Sequence, residues 1–557
     1  MSASAAPVRP KRLDRVLDRV ERIGNRLPDP LVLFAGLFLL TAVLTTVLGA
    51  LGAQVQVPGE DDPLQVRSFF SGEGLTWFTT TMGENYIGFP PLVNVLPIVL
   101  AVGIAEGSGL LSAAIRGLFG SAPRWLLPYV VAFVGVNGNL MSDTSFVVIP
   151  PLAALVFAAA GRHPVAGLIG GFAAVGASFS TSMLPSPIDA NFAGITSGVM
   201  GALPDALQAT PVTVVSNYWI NLASSLVLVL ACGALIDRVL EPRLERAGVP
   251  RAIDDPDEGA PTGPSSGGGA EADGSPGGTA ASGEKERPKA RTGERDEDVS
   301  SSVEPVEKRA LVWAGVTLAG LVALIVAIAV IPFSPWRSDG GGLLPDSPFM
   351  GSIVFLIVVV FSVTGIVYGA RLGTIRTGGD VARHMGQGLR SMTSFLVVAF
   401  ALAQFLALFE WSGVGTYLAV HGAAWLESAQ LGGLPVILAF VVLCAVANLF
   451  ITSGTSMWGL MAVVFVPMLG LAGLEPAFVQ AAFRIGDSST QIITPLSPYL
   501  IVLLGMVRRY EPDAGLGTLV ARLVPFTLVF FTVWVAVLLV FYGLDLPIGP
   551  ANGIHLE

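Results

Sequence analysis

Residues 484–498 read RIGDSSTQIITPLSP, and they lie between two long apolar runs. An arginine, an aspartate and five hydroxyl side chains in so short a stretch are costly in hydrocarbon unless they partner one another or a ligand. Gly486 and Pro495 bracket the hydroxyls, so the run reads as a transmembrane helix that unwinds partway. Backbone that leaves a helix at membrane depth loses roughly several kcal/mol per orphaned group unless protein or trapped water satisfies it. A break of this kind marks a place where polar chemistry is gathered.

The pattern recurs in the first half of the chain. GASFSTSMLPSP (Gly176–Pro187) interrupts an apolar run with hydroxyls and prolines, as GDSSTQIITPLSP (Gly486–Pro498) does in the second half. Each is preceded, at a similar interval, by a shorter polar break: NLMSDTS (Asn139–Ser145) and NLFITSGTS (Asn448–Ser456). Gly161 and Pro164 match Gly473 and Pro476, and Pro185 matches Pro495. The shorter breaks are flanked by runs too brief to span singly and read as re-entrant hairpins; the longer ones read as broken helices. Paired breaks in corresponding halves point to the binding centre of a transporter, and that style of architecture implies that the repeats are inverted.

Composition places the whole chain in a membrane. Of 557 residues 52% are hydrophobic and 13% charged, and the mean hydropathy is +0.69, outside the range of soluble domains. Runs long enough to cross about 30 Å of hydrocarbon include Leu31–Ala53, Trp219–Ile236, Ala310–Ile331, Gly351–Tyr368, Met392–Phe409, Leu434–Phe450 and Leu523–Tyr542. The expected fold class is all-α and polytopic. The net charge of -10 resides in loops and gives no sign of a nucleic-acid partner. The two cysteines, Cys232 and Cys444, lie inside apolar runs and read as packing residues.

Seven basic residues from Arg9 to Arg26 precede the first span and place the N-terminus, residues 1–30, in the cytoplasm. The acidic segment Gln54–Gly88 belongs on the opposite side as a loop. Residues 241–308 contain a Gly-, Ser-, Pro- and charge-rich stretch that cannot bury a core and reads as a disordered cytoplasmic linker. It separates an N-terminal transmembrane half, 31–240, from a C-terminal half, 309–557.

The chemistry-bearing candidates sit at the breaks. Asp143, Asp189, Arg484 and Asp487 are charged groups within or beside them, whereas Glu106 reads as a residue of a membrane–water boundary. Arg484 and Asp487 are three apart, so on a helix they share a face and can pair or meet one ligand; Arg484 lies just before the break and Asp487 just within it. A guanidinium suits a carboxylate, and a buried aspartate suits proton or cation coupling. Asn139, Ser178, Asn448 and Ser488 are candidate sodium ligands, with Ser453 and Asp143 as further ion-coupling groups; these polar side chains equally serve unwound backbone. Trp458 can stack on an aromatic ligand or simply pack. Motifs of hydrolases and nucleotide-driven pumps are missing from the sequence, and the four histidines are scattered.

At these residues the sequence resembles the AbgT family, the p-aminobenzoyl-glutamate transporters. The likeness covers nearly the full chain outside the linker and rests on GIAEGSGLLSAAIRGL, NLMSDTSFVVIPPLAALVFAAAGRHPVAGL, MLPSPIDA, ITSGTSMWGLMA and RIGDSSTQIITPLSPY. It implies a homodimer in a bacterial-type inner membrane, each subunit with about nine transmembrane helices and two re-entrant hairpins. It further implies transport of p-aminobenzoyl-glutamate, a folate breakdown product, or export of sulfonamide antimetabolites. Carried over residue by residue, the family's functional positions fall on Asp189, Asn448, Trp458, Arg484, Asp487 and Pro495. Thr455 stands where a serine is expected, which adds a methyl group to the pocket.

The expectation is a secondary transporter, not an enzyme, with no cofactor beyond Na+ or H+ as coupling ion and with an aromatic-glutamate substrate. The rivals are a sodium-coupled dicarboxylate transporter of the same superfamily, a passive channel, and a membrane-embedded hydrolase using Asp143 or Asp487. Direction of transport is set by gradients and is not written in the residues.

Overall fold

The computed structural model describes residues 30–56, 62–120, 122–203, 209–251, 303–338, 341–343, 347–428, 433–495 and 497–556. The basic segment 1–29 and residues 252–302, which hold most of the expected linker, lie outside the described residues. Eight helices are long and apolar enough to cross a membrane, or up to nine if a bent pair counts as one span, among the described residues. The only sheet described is a two-residue antiparallel pair, Gln54–Val55 with Leu64–Gln65.

The first half contains α1 (Pro30–Ala50), α2 (Gly72–Ile87), α3 (Pro90–Gly107) and α4 (Leu110–Gly120), then α5 (Leu127–Val136) and α6 (Ser145–Ala159). It continues through α7 (Pro164–Ala177), α8 (Pro187–Val199) and α9 (Tyr218–Leu235), the last extended by α10 (Glu241–Arg246). The second half contains α11 (Pro305–Val330), α12 (Ile353–Leu372), α13 (Gly378–Ser391), α14 (Thr393–Trp411) and α15 (Val414–Ser428). Then come α16 (Leu434–Ala447), α17 (Gly454–Leu471), α18 (Pro476–Thr490), α19 (Pro498–Arg508) and α20 (Leu516–Leu544).

The element order repeats as the sequence implies. Helices α5 and α6, joined by a 3-10 turn at Gly138–Thr144, form a hairpin packed on α7. Helices α16 and α17, joined through Asn448–Ser453, form a second hairpin packed on α18. The ten residues of α5 rise about 15 Å, half of a hydrocarbon core. Helix α7 breaks into α8 across residues 178–186, and α18 breaks into α19 across 494–497. The halves interlock, because α17 and α18 of the second pack on α8 of the first. Two glycines permit close approach: a Cβ at Gly486 would stand 2.5 Å from the Cβ of Cys444 on α16, and one at Gly176 would stand 2.0 Å from a methyl of Ile492.

Three boundaries differ from the sequence reading. The expected loop Gln54–Gly88 contains α2, started by Ser71, whose hydroxyl accepts from Gly74 N at 3.0 Å; its run of threonines hid a helix behind low apolarity. Within the expected linker span 241–308, helix continues to Arg246 and resumes at Pro305 behind a capping box of Glu304 and Glu307. The second long break is shorter: α18 stays helical through Thr490 and a 3-10 turn carries it to Ile493. Asp487 is therefore inside a helix, not in unwound chain.

The surface of the spans is apolar, as a lipid-facing surface must be. On α11, Val312, Val316, Val322 and Val326 are exposed.

Candidate functional site

Asp189 is the third residue of α8 and completes a capping box with Ser186. Ser186 N and Oγ donate to Asp189 Oδ2 at 2.8 and 2.6 Å. Its other oxygen, Oδ1, accepts from Arg484 Nη1 at 2.6 Å and from Asn221 Nδ2 at 3.3 Å. Arg484 and Asp189 are both sealed from solvent. Arg484 Nη1 also donates to Ser180 O, in the first long break, and the guanidinium carbon lies 5.1 Å from the centre of the Phe192 ring. Of the two readings of Arg484 and Asp487, a pair or a shared ligand face, the pair is not what this structure shows. The two share a face of α18, but the guanidinium turns across the interface to the carboxylate on the other half.

Asp487 is wholly buried, and neither of its oxygens is engaged in a well-formed hydrogen bond. The Ser180 hydroxyl faces it and shares a 2.6 Å hydrogen bond with Ser488 Oγ. Gly454, first residue of α17, brings the hairpin tip against this carboxylate: a Cβ there would lie 3.1 Å from Asp487 Oδ2. Any side chain at 454 would press on the acid.

Asn448 ties the second hairpin to α18, its amide nitrogen donating to Asp487 O and, at 3.1 Å, to Thr490 Oγ1. Thr494 Oγ1 donates back to Asn448 O at 3.1 Å, and Pro495 is buried in the turn that follows. The first hairpin has an equivalent: Asn139 Nδ2 donates to Ser186 Oγ at 3.2 Å, and Asn137 Oδ1 accepts from Met183 N at 3.1 Å. Ser178 Oγ donates to carbonyls of its own helix and, at 3.3 Å, to Gly135 O. The candidate sodium ligands Asn139, Ser178, Asn448 and Ser488 are each engaged in separate hydrogen bonds. Among the described residues no cluster of three His, Cys, Asp or Glu is placed to hold a metal ion. The side chain of Asp143 lies outside the described residues. Glu106, at the end of α3, meets Thr144 of the first hairpin turn.

Trp458 takes the packing alternative. Its ring is fully buried, 4.6 Å from Phe483 centre to centre, and its Nε1 donates to Thr196 Oγ1 at 3.1 Å and Phe192 O at 3.3 Å. Phe483 in turn meets Phe192 edge-on at 5.4 Å. Trp458 is the far end of a stack that reaches Arg484 through Phe483 and Phe192; it faces no open space. An indole in an apolar helix gives no sign in sequence of whether it faces a ligand or an interior.

The open space lies on the other side of the second hairpin tip. A cavity of about 430 Å³ is lined by Phe179, Phe395 and Tyr499, by Asn191 and Gln491, and by Ser453 and Thr455 with their neighbours. None of its lining residues is charged, among the described residues. Thr455 presents its hydroxyl to Asn191 Nδ2, and Ser453 caps α17, accepting from Ser456 N at 3.3 Å. The sequence reading missed Asn191, Asn221, Gln480 and Gln491. Of these only Gln480 carried a signal, being one helical turn before Arg484.

Hairpins and broken helices from two repeated halves, meeting at a buried ion pair beside an uncharged cavity, define a membrane transporter. The chain belongs to the AbgT putative transporter family, which it matches over residues 15–260 and 286–556. It is 34% identical over 536 residues to the p-aminobenzoyl-glutamate transport protein of Escherichia coli K12, covering 95% of each chain. Among solved structures it is similar to the Alcanivorax borkumensis YdaH transporter, with 36% identity and a TM-score of 0.80 over 94% of this chain and 100% of that one. It is likewise similar to Neisseria gonorrhoeae MtrF, described as illuminating a class of antimetabolite efflux pumps. There the identity is 33% and the TM-score 0.82, over 97% of this chain and 100% of that one. The protein is a multi-pass membrane transporter and not an enzyme, which sets the hydrolase reading aside.

Proposed function

We propose that this chain is a secondary active transporter of p-aminobenzoyl-glutamate that also exports sulfonamide antimetabolites, driven by a proton or sodium gradient. The observation that carries the reading is the cavity and what stands behind its wall. Its volume of about 430 Å³ is that of a small-molecule site, and its aromatic and amide lining suits an aminophenyl group. Arg484 lies beyond the hairpin tip, held by Asp189. A glutamyl carboxylate reaches that guanidinium by taking the place of Asp189, and a bidentate grip is the favoured geometry. Asp487, buried and without a well-formed hydrogen bond, is the coupling group, because a buried carboxylate changes free energy strongly with its proton or a cation.

The curated relative's name supports the substrate, and the MtrF description supports antimetabolite export. Movement of one inverted repeat against the other opens the centre to alternate sides. The basic segment 1–29 sets the N-terminus in the cytoplasm, in a bacterial-type inner membrane, and the working unit is a homodimer.

Uptake of labelled p-aminobenzoyl-glutamate into proteoliposomes tests the substrate. The expected result is competition by a sulfonamide and none by succinate. Competition by succinate alone supports a dicarboxylate transporter instead.

A further inference from the structure

The geometry points to Gln480 as a positioning residue for Arg484, one that fixes the guanidinium plane for a carboxylate and so sets selectivity for carboxylate-bearing substrates. The inference rests on the transport reading above.

Gln480 stands one turn before Arg484 on the same face of α18 and is 1% exposed. With its amide one way round, Nε2 donates to Asn217 Oδ1 at 2.7 Å and Oε1 accepts from Thr196 Oγ1 at 2.5 Å. Asn217 is itself fixed, its Nδ2 donating to Ala477 O at 2.7 Å. Turned over, the Gln480 amide accepts from Arg484 Nη2 at 3.2 Å through its oxygen and donates to Phe192 O at 3.0 Å through its nitrogen. The second orientation gives the guanidinium an acceptor on the nitrogen that Asp189 does not hold, with Asn217 still beside the amide at 2.7 Å.

The consequence for a ligand follows from the shape of guanidinium. Two parallel hydrogen bonds to one carboxylate require the plane to stay put when Asp189 leaves. Phe192 fixes one face of that plane at 5.1 Å, and Gln480 fixes its rotation. Trp458 fixes Gln480 in turn, since the indole holds Thr196 at 3.1 Å and Thr196 holds the amide. A substrate with no carboxylate has no use for this arrangement. Gln480 belongs to the machinery of one substrate class only.

The test compares KM values in proteoliposomes for p-aminobenzoyl-glutamate and for a sulfonamide lacking a carboxylate, with wild type, Gln480→Leu and the near-isosteric Gln480→Glu. Gln480→Leu is expected to raise the first KM about tenfold, the equivalent of one charge-assisted hydrogen bond, and to leave the second within about twofold. Gln480→Glu, which places a carboxylate on Arg484, is expected to raise the first KM further and again spare the second. Should Gln480→Leu fail to fold, the glutamate variant carries the same comparison. Equal shifts of both KM values, or none, overturn the positioning role while leaving the transport reading intact. Wild-type protein that moves neither compound overturns that reading and the positioning role with it.

Discussion

Arg484 Nη1 lies 2.6 Å from Asp189 Oδ1, and this contact joins the helix before the second long break to the helix after the first. It is the one buried salt bridge between the two halves at the breaks, among the described residues. It also occupies the fixed cation that a carboxylate substrate needs. On the proposed function, the same pair joins the two halves and is what a carboxylate substrate exchanges with on binding.

Removing one partner leaves a charge buried without its counter-ion. Asp189→Asn is expected to destabilise the protein by about 3–5 kcal/mol, seen as a lowered Tm in detergent. The double variant Asp189→Asn with Arg484→Gln is expected to lose less than the sum of the single changes. Additive losses contradict a direct energetic pairing.

Asp487 makes the opposite prediction. Its oxygens have no well-formed hydrogen bond to lose, so Asp487→Asn is expected to leave Tm unchanged or raised. Gradient-driven accumulation is expected to vanish while exchange of internal for external substrate persists. A variant that still accumulates substrate removes Asp487 from the coupling role.

Trp458→Phe retains a ring beside Phe483 and loses the indole N–H that is shared between Thr196 Oγ1 and Phe192 O. It is expected to cost about 1 kcal/mol, whereas Trp458→Ala is expected to cost about 3–5 kcal/mol. Chemical denaturation in detergent separates these. Equal, small losses indicate that the ring is not packed as described.

A pH effect is expected at the α6–α7 turn, away from the centre. His163 is held below its ordinary value of 6.5 chiefly by burial, with Arg251 adding to the depression against the pull of the Val249 carbonyl and of Glu241 and Glu245. Between that lowered value and 6.5 the unfolded chain binds a proton the folded chain refuses. Stability is thus full above pH 6.5 and falls as pH drops through this window. His163→Gln is expected to flatten the decline of Tm from pH 7 to pH 5; an unchanged slope contradicts it.

Much of this was legible in sequence because hydrocarbon punishes polar residues. RIGDSSTQIITPLSP and GASFSTSMLPSP stood out on composition, and their spacing from the two shorter breaks predicted paired hairpins and broken helices. The partner choice of Arg484 was not legible. Helix geometry places Asp487 on its face, but Asp189 comes from a segment 295 positions away, and no local pattern encodes that meeting. That the break begins at Thr494 rather than near Asp487 was hidden for a related reason: serines and threonines buried in protein are satisfied within a helix, as Thr490 shows by donating to Gly486 O at 3.1 Å. Trp458 offers two readings in sequence and Gln480 only its spacing from Arg484; the stack through Phe483 and Phe192 connects the indole to the site, and the contact with Arg484 Nη2 connects the amide.

The most direct test of the account loads proteoliposomes with buffer alone and follows labelled p-aminobenzoyl-glutamate under a proton gradient, a sodium gradient or neither, for wild type and Asp487→Asn. The account predicts accumulation above the external concentration under one of the two gradients in wild type, and equilibration only in the variant. Equilibration only in wild type under every condition, or accumulation that survives in Asp487→Asn, would contradict it.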